Sequence, residues 1–465
     1  MKRAKGTPVA ASGSVVKISK KSDKEPICQP KHLPPLKAML KRFLLIAVAV
    51  FAGYGLAQYA AGPACPGGVR SGAPSWWPDR ERDRTVRYFR EVLLMVKENY
   101  VGDAPAGYDD LTRTALDGML SQLDPHSKFL HADEYRETDE ELANAFGGVG
   151  IQVEQRDGQI VVLAPIAGTP AERAGVRRGD RLVKIDGKTI ENPTIEKMVR
   201  LVRGDPDTEV TLTVFRPSQN RNHDFKLKRE RIRLDSVRHA TLRPGGIGYL
   251  QITLFSERTG EEFRMALTGL EKQGLRALLI DLRNNPGGLL DAAIDVCNEF
   301  FGKGELIVYT QGRTPDSREN FKSDGAHPRL TYPVAILVNG GTASAAEIVS
   351  GAMKDTQRAV IVGEKTFGKG SVQSVLELQN GEGLRLTTAR YYTPSGITIH
   401  EKGIVPQVEI EISADDEGKL RRQQSRPDLT APVEFNNHFG FQHIEDVQLN
   451  AAEEVLTGLL AARGK

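Results

Sequence analysis

Cysteine is scarce in this chain: Cys28, Cys65 and Cys297 are the only three among 465 residues. Neither a disulfide framework nor a zinc-ligand spacing can be drawn from them, and Cys297 falls on the apolar stripe of DAAIDVCNEFF, which makes it a core residue. Internal repeats are absent. Net positive charge is also missing once the first 42 residues are set aside. They hold eleven Lys/Arg against Asp23 and Glu25, or +9, so the rest of the chain carries −6 within a formal total of +3. A mildly acidic body argues against nucleic acid as a partner. A phosphate loop is missing by one residue. In GEKTFGKGS, Gly363, Gly368 and Lys369 have the spacing, but Gly370 stands where a magnesium-ligating Ser/Thr is needed, and a strand-like segment follows instead of a helix.

One stretch lacks polar residues. In residues 43–62, FLLIAVAVFAGYGLAQYAAG, Gln58 is the only strongly polar side chain, and the run reaches the roughly 20 residues that span a bilayer as a helix. Lys37, Lys41 and Arg42 flank one side only. This predicts a basic cytoplasmic tail at 1–42, a transmembrane signal anchor at 43–62 and export of everything after about residue 63. A cleaved signal peptide, with Ala57, Ala60 and Ala61 as its small residues, is the alternative. Residues 63–81 carry Pro63, Pro66, Pro74 and Pro78 and read as a linker.

Beyond the linker the periodicity changes twice. Residues 82–145 have apolar positions at helical spacing (Phe89, Val92, Val96, then Leu116, Leu120), interrupted by LDPHSKFL, which reads as a turn. His126 in that turn reads as a structural hydrogen-bonder, not as the base of a Ser-His pair. Residues 146–232 alternate as short strands around the Asp157-Gly158, Gly179-Asp180 and Asp186-Gly187 turns, with one amphipathic helix in PTIEKMVRLVRG. Residues 233–410 alternate strands and helices, the pattern of an α/β core, and end on two strands around Asn380-Gly381. The extension at 411–465 is polar up to a terminal helix whose Leu449, Ala452, Leu456 and Leu459 need a partner surface, for which a second subunit is one expectation.

Three segments of the α/β part carry chemistry. Ser344 follows the strand AILVN and the Gly340-Gly341 pair and opens a helix, a turn that presents a hydroxyl beside unpaired helical N–H groups. The plainer reading is a helix cap. Lys369 lies between two glycines before SVQSVLEL, where alternation puts Lys369, Ser371 and Gln373 on one face. A lysine serves as a base near neutrality only if its pKa falls by roughly 3 units from about 10.4, about 4 kcal/mol of differential interaction, which burial supplies and a carboxylate partner would oppose. Gln373 accepts a hydrogen bond without adding charge. In DLRNNPGGLL, Gly287 and Gly288 open a helix after a turn, so their N–H groups approach a carbonyl with no side chain in the way.

Two resemblances follow from these motifs. Residues 146–232 resemble a PDZ domain: Gly148, Val149, Gly150 and Ile151 stand where that family binds a C-terminal carboxylate, ahead of GTPAERAGVRRGDRLVKIDG. Over roughly 85–410 the chain resembles the carboxy-terminal processing peptidases, the tail-specific serine proteases of the S41 type, through LDPHSKFL, DLRNNPGG, NGGTASAAEI, KTFGKGSVQ and YYTPSG. Ile397 and Gln407 depart from the pattern expected of that family. The resemblance implies an α/β, multidomain fold with a crotonase-like protease core and an inserted PDZ domain, to which the periodicity adds an N-terminal helical region and the apolar run an N-terminal membrane anchor; taken with that anchor it implies a single-pass protein of a bacterial inner membrane, with its catalytic domains in the periplasm or otherwise outside the cytoplasm. It implies Ser344 as nucleophile, Lys369 as general base, Gln373 as its orienting partner, and an oxyanion pocket from the backbone N–H groups of Gly287 and Ala345. It further implies no metal and no other cofactor, protein substrates held by their C-terminal tails, a homodimer or larger homo-oligomer, and scope for an adaptor protein. A degenerate PDZ scaffold that binds peptides without cleaving them is the competing expectation.

Overall fold

The structure, a computed structural model, describes residues 80–463 apart from 103–106, 157, 191–193, 327–331 and 427. The anchor expected at 43–62 and the tail before it lie outside the described residues. Among those described, no helix is long and apolar enough to cross a membrane.

Helices α1 (Arg80–Asn99) and α2 (Tyr108–Ser121) open the described chain. Asp124 then caps a turn, its Oδ1 accepting the N–H groups of His126 and Ser127 at 2.8 and 2.9 Å. The turn expected over the whole of LDPHSKFL stops there, because Phe129 and Leu130 are buried in the strand β1 (Lys128–Leu130), which precedes α3 (Ala132–Leu142).

The next elements are β2 (Ala145–Gly148), β3 (Ile151–Arg156), β4 (Gln159–Pro165), α4 (Pro170–Arg173), β5 (Arg181–Ile185), β6 (Lys188–Thr189), α5 (Ile195–Val202), β7 (Glu209–Arg216), β8 (Arg221–Lys228) and β9 (Glu230–Arg233). The antiparallel pair of β2 and β9 closes the neck of this module. Its sheet runs β3-β4-β5-β7-β8, with β3 at one end. Alternation along β7 sends Val210, Leu212 and Val214 into a core shared with Met198 and Val202 of α5. Burial of Asp180 and Arg216 is tolerated because they form a two-pronged pair at 2.8 and 2.7 Å.

The α/β part contains β10 (Val237–Arg243), β11 (Ile247–Ile252), α6 (Thr259–Lys272), β12 (Ala277–Asp281), α7 (Leu290–Asn298), β13 (Leu306–Gly312), β14 (Arg318–Lys322), β15 (Val334–Val338), α8 (Ala345–Asp355), β16 (Ala359–Gly363), β17 (Ser371–Glu377), β18 (Gly383–Tyr392) and β19 (Val408–Glu409). One sheet has the order β10-β11-β12-β15-β16-β19, parallel from β11 onward. Every residue of β12 and β15 is buried, as expected of strands covered on both faces. One face packs on α6, α7 and α8, with Cys297 fully buried among them. The hairpin of β17 and β18 belongs to a second sheet, where β18 also pairs with β1 and β13.

The C-terminal extension forms three helices, α9 (Ala414–Ser425), α10 (Pro432–Phe439) and α11 (Val447–Arg463). Ser413 caps α9 by accepting the Asp416 N–H at 3.1 Å, and Asp415, Asp416 and Glu417 suit the positive end of its dipole. The partner surface sought for α11 is the chain's own: Ala452 and Leu456 are fully buried on the second face of the parallel sheet, against Leu279, Ala335 and Leu337. A face that read as a subunit contact is therefore a layer of the core, because parallel strands need cover on both sides.

Candidate active site

Two strand ends build the site. After β12, the Asn285 amide donates to Ile252 O at 2.8 Å, and its Oδ1 accepts the Gly287 N–H at 2.8 Å. Asn285-Pro286-Gly287 is thus an Asx turn, followed by Gly287 and Gly288 at φ 104° and 132°. After β15, Asn339 Oδ1 accepts the Asn284 N–H at 2.8 Å and the Gly341 N–H at 3.1 Å, while Thr342 donates to Leu282 O at 2.8 Å. The two turns are stitched together. Ser344 sits between them at φ 54°, ψ −118°, ahead of α8. A non-glycine residue held there costs of order 1–3 kcal/mol and is kept by its surroundings.

Glu347 supplies much of that hold. Its carboxylate is fully buried, and Oε2 accepts the N–H groups of both Ser344 and Lys369 at 2.9 Å. Its Oε1 accepts the Gly368 N–H at 2.8 Å and the Thr366 hydroxyl. Burial raises the Glu347 carboxyl above the usual carboxylate range, against the pull of those four bonds. The sequence reasoning missed this residue, although Ser344-Ala345-Ala346-Glu347 has the spacing of a capping box.

Ser344, Lys369, Gln373 and Gly287 line one cleft of about 490 Å³. Lys369 lies before β17, and β17 has a bulge between Val372 and Gln373, so the common face arises from the loop and the bulge instead of simple alternation. The Lys369 amine is half-buried. Burial lowers its pKa first and the Arg385 guanidinium lowers it further, while Glu141 and Glu347 oppose the shift. Among the described residues, the amine is hydrogen-bonded to neither Ser344 nor Gln373: the Gln373 amide donates to Ser371 Oγ at 2.9 Å and Thr387 Oγ1 at 3.4 Å. Thr387 in turn donates to Asp124 at 3.2 Å, which ties the LDPHSKFL turn to the site. The His126 ring is bonded to none of the three, and burial followed by the Lys369 charge lowers its pKa. Ala345 does not line the cleft, but its N–H lies 2.9 Å from the point where a Gly287 Cβ would stand. Leu142, Leu254, Leu290, Val372 and Tyr391 give the cleft an apolar wall, and Glu141, Asp291 and Arg385 add charges to its lining. A hydroxyl, an amine of lowered pKa and a glycine turn around one cleft are the parts of covalent acyl transfer.

A second groove lies in the module of β3 and α5. Gly148, Val149, Gly150 and Ile151 line it together with Val153, Leu182, Met198 and Val202. Gly150 adopts φ 77°, and a Cβ there would stand 2.4 Å from the Thr169 side chain, so both conformation and space require glycine. As the terminal strand of its sheet, β3 leaves one edge without a strand partner among the described residues.

Two protein families match the chain. Peptidase family S41 matches residues 246–410, and the PDZ domain family matches residues 161–216. A carboxy-terminal-processing protease of Bartonella bacilliformis is 38% identical over 387 residues, covering 80% of this chain and 88% of the relative. The carboxy-terminal processing protease CtpA of Bacillus subtilis is 34% identical over 378 residues, covering 81% of this chain and 78% of its own length. Among solved structures, a photosystem II D1 C-terminal processing protease is 32% identical with a TM-score of 0.41, covering 70% of this chain and 90% of that one. The chain belongs to peptidase family S41, as a carboxy-terminal processing serine protease that carries a PDZ domain.

Proposed function

We propose that Ser344 is the nucleophile and Lys369 the general base of an endopeptidase that cleaves proteins near their C-termini. The observation that carries the reading is the shared carboxylate: Glu347 accepts the backbone N–H of each of the two residues at 2.9 Å, which holds their backbones side by side where both residues line one cleft. Neutral Lys369 takes the Ser344 proton as the oxygen attacks the substrate carbonyl carbon. The tetrahedral oxyanion is stabilised by backbone N–H groups of Gly287 and Ala345. Lysine then returns the proton to the leaving amine as the C–N bond breaks, and water, deprotonated by the same amine, hydrolyses the acyl-serine. Gln373, held by Ser371 and Thr387, stands at the cleft to receive a hydrogen bond from the amine. The amine makes no bond to Ser344 here and the Gly287 N–H is turned onto Asn285, so substrate must draw the site together, as catalytic hydrogen bonds commonly do.

On the same footing, the groove beside β3 receives a substrate's C-terminal tail: an added strand bonds to the unpaired edge, its carboxylate meets the loop from Gly148 to Ile151, and apolar side chains fill the pocket at Met198. Tail occupancy gates the cleft. The PDZ module spans 146–232 and the protease core, crotonase-like in its repeated strand-helix units, spans 233–410. Export behind a single-pass anchor is supported by the apolar run at 43–62 alone. Self-association is supported by the exposed apolar side chains of α1, Tyr88, Phe89 and Met95 among them.

The test is processing of a folded protein carrying an apolar C-terminal tail. Cleavage at a defined site near that end, lost in Ser344→Ala and in Lys369→Ala, is the expected result. Equal turnover of the same protein with its tail removed would contradict tail recognition.

A further inference from the structure

The C-terminal extension is bonded at one end to the turn that presents Gly287 and at the other to the PDZ module. At the first end Arg421 donates to Asn284 Oδ1 at 2.9 Å, the Asn339 amide donates to Glu417 at 2.8 Å, and Arg283 forks onto Asp446 with two bonds of 2.8 Å. Asn284 and Asn339 are the residues that stitch the two turns of the site. At the second end Arg426, only 8% exposed, forks onto Asp428 at 2.9 and 3.0 Å and lies 3.7 Å from Glu154 on β3. Arg178 of the PDZ module reaches the same Asp428 at 2.7 Å, and Arg156 meets His438 at 3.1 Å. Helix α9 joins the two ends.

The placement on β3 matters. Val153 lines the peptide groove, and its neighbour Glu154 turns away from it to the Arg426 cluster. A peptide that bonds to the β3 edge therefore acts on a backbone whose other side is tied to the extension. Exposed ion pairs transmit little, but a charge cluster around a nearly buried arginine is costly to leave half-paired, so its members move together. At the far end the Gly287 N–H is bonded to Asn285 Oδ1, and it can serve an oxyanion only once that bond is released.

We propose that α9 is a strut through which PDZ occupancy sets the conformation of the Gly287 turn, with Arg426 as the coupling residue and Arg421 and Glu417 as positioning residues. This rests on the reading of the groove as a tail site. A tail seated on β3 shifts Glu154, the shift passes through Arg426 and Asp428 to α9, and Arg421 and Glu417 deliver it to Asn284 and Asn339.

The experiment uses the full-length protein, a short quenched peptide substrate that lacks a groove-binding tail, and a separate fluorescein-labelled peptide that ends in an aliphatic residue with a free carboxylate. Tail affinity is read by anisotropy, and kcat is read with and without tail. In the wild type, saturating tail changes kcat by about fivefold or more, the low end of usual coupling between sites. In Arg426→Gln, and in the surface variant Arg178→Glu, which loses no core packing, tail Kd stays within about twofold and the change in kcat disappears; Arg178→Lys keeps it. Persistence of the full effect in both Arg426→Gln and Arg178→Glu overturns the strut. A bound tail that leaves wild-type kcat unchanged overturns it as well, with tail recognition intact. A tail that does not bind the wild type removes the groove reading itself.

Discussion

A Cβ placed on Gly287 would stand 2.6 Å from Cβ of Ser344, so the two residues touch as closely as backbone permits. Gly287 also needs φ 104°, which side-chain-bearing residues rarely adopt. Gly287 is buried and its Cβ would also meet the backbone of Ala343 and Ala345 at 2.8 and 2.9 Å, so Gly287→Ala should lower Tm and displace the proposed nucleophile and oxyanion donors. The expected loss in kcat is at least about 100-fold, the usual effect of removing one oxyanion donor. Steady-state kinetics beside a melting curve checks it.

With Lys369 as the proposed base, activity and stability should rise with pH together. Its folded pKa lies below the ordinary 10.5 through burial and the Arg385 charge. Between that lowered value and 10.5 the unfolded chain binds more protons than the folded one, so stability climbs with pH across this window. The fraction of neutral base climbs over the lower part of the same range. Lys369→Met, which keeps the bulk and drops the amine, should abolish turnover and raise Tm near neutrality. Its Tm gain should shrink toward alkaline pH. Parallel pH series of kcat/KM and Tm measure both.

Glu347→Gln tests the tie between the two loops. The amide keeps the shape but offers one acceptor oxygen for four donors, Ser344, Lys369, Gly368 and Thr366. Buried donors without acceptors cost about 1–3 kcal/mol each, so Tm should fall and kcat should drop by at least about tenfold as the Ser344 and Lys369 loops part. Calorimetry and a progress curve on one short peptide read the two effects.

Local pattern made much of this molecule legible, and long-range pairing hid the rest. Glycine turns and alternating strands marked the PDZ module, while the order of DLRNNPGG, Ser344 and Lys369 marked the cleft, because each is a short-range signal. Glu347 was readable as the fourth residue of a capping box, yet its bond to Lys369 was not, since a helix and a loop 22 residues on meet only in the fold. The Gly287 N–H read as a free donor; the Asx bond from Asn285 takes it up. The apolar stripe of α11 showed the need for a surface and could not say which. The α9 and α10 helices were missed because their apolar faces are thin and their order depends on charged contacts.

Val153 lines, from β3, the groove proposed to take the tail. Val153→Lys should raise KM for a tailed protein substrate by about tenfold or more, given the 1.5–3 kcal/mol that one buried aliphatic side chain contributes. Cleavage of a short tailless peptide should be unchanged. Competition between the two substrates in one tube shows the split directly.

The neutral amine of Lys369 as the activator of Ser344 is tested most directly by the rate and site of covalent labelling with a fluorophosphonate. The label should be found on Ser344 by mass spectrometry, and its rate of attachment should rise with pH until the amine is fully deprotonated. It should vanish in Ser344→Ala and fall by about 100- to 10,000-fold in Lys369→Ala, the range expected when a general base is lost. Undiminished labelling of Ser344 without Lys369, or labelling at another residue, would contradict the account.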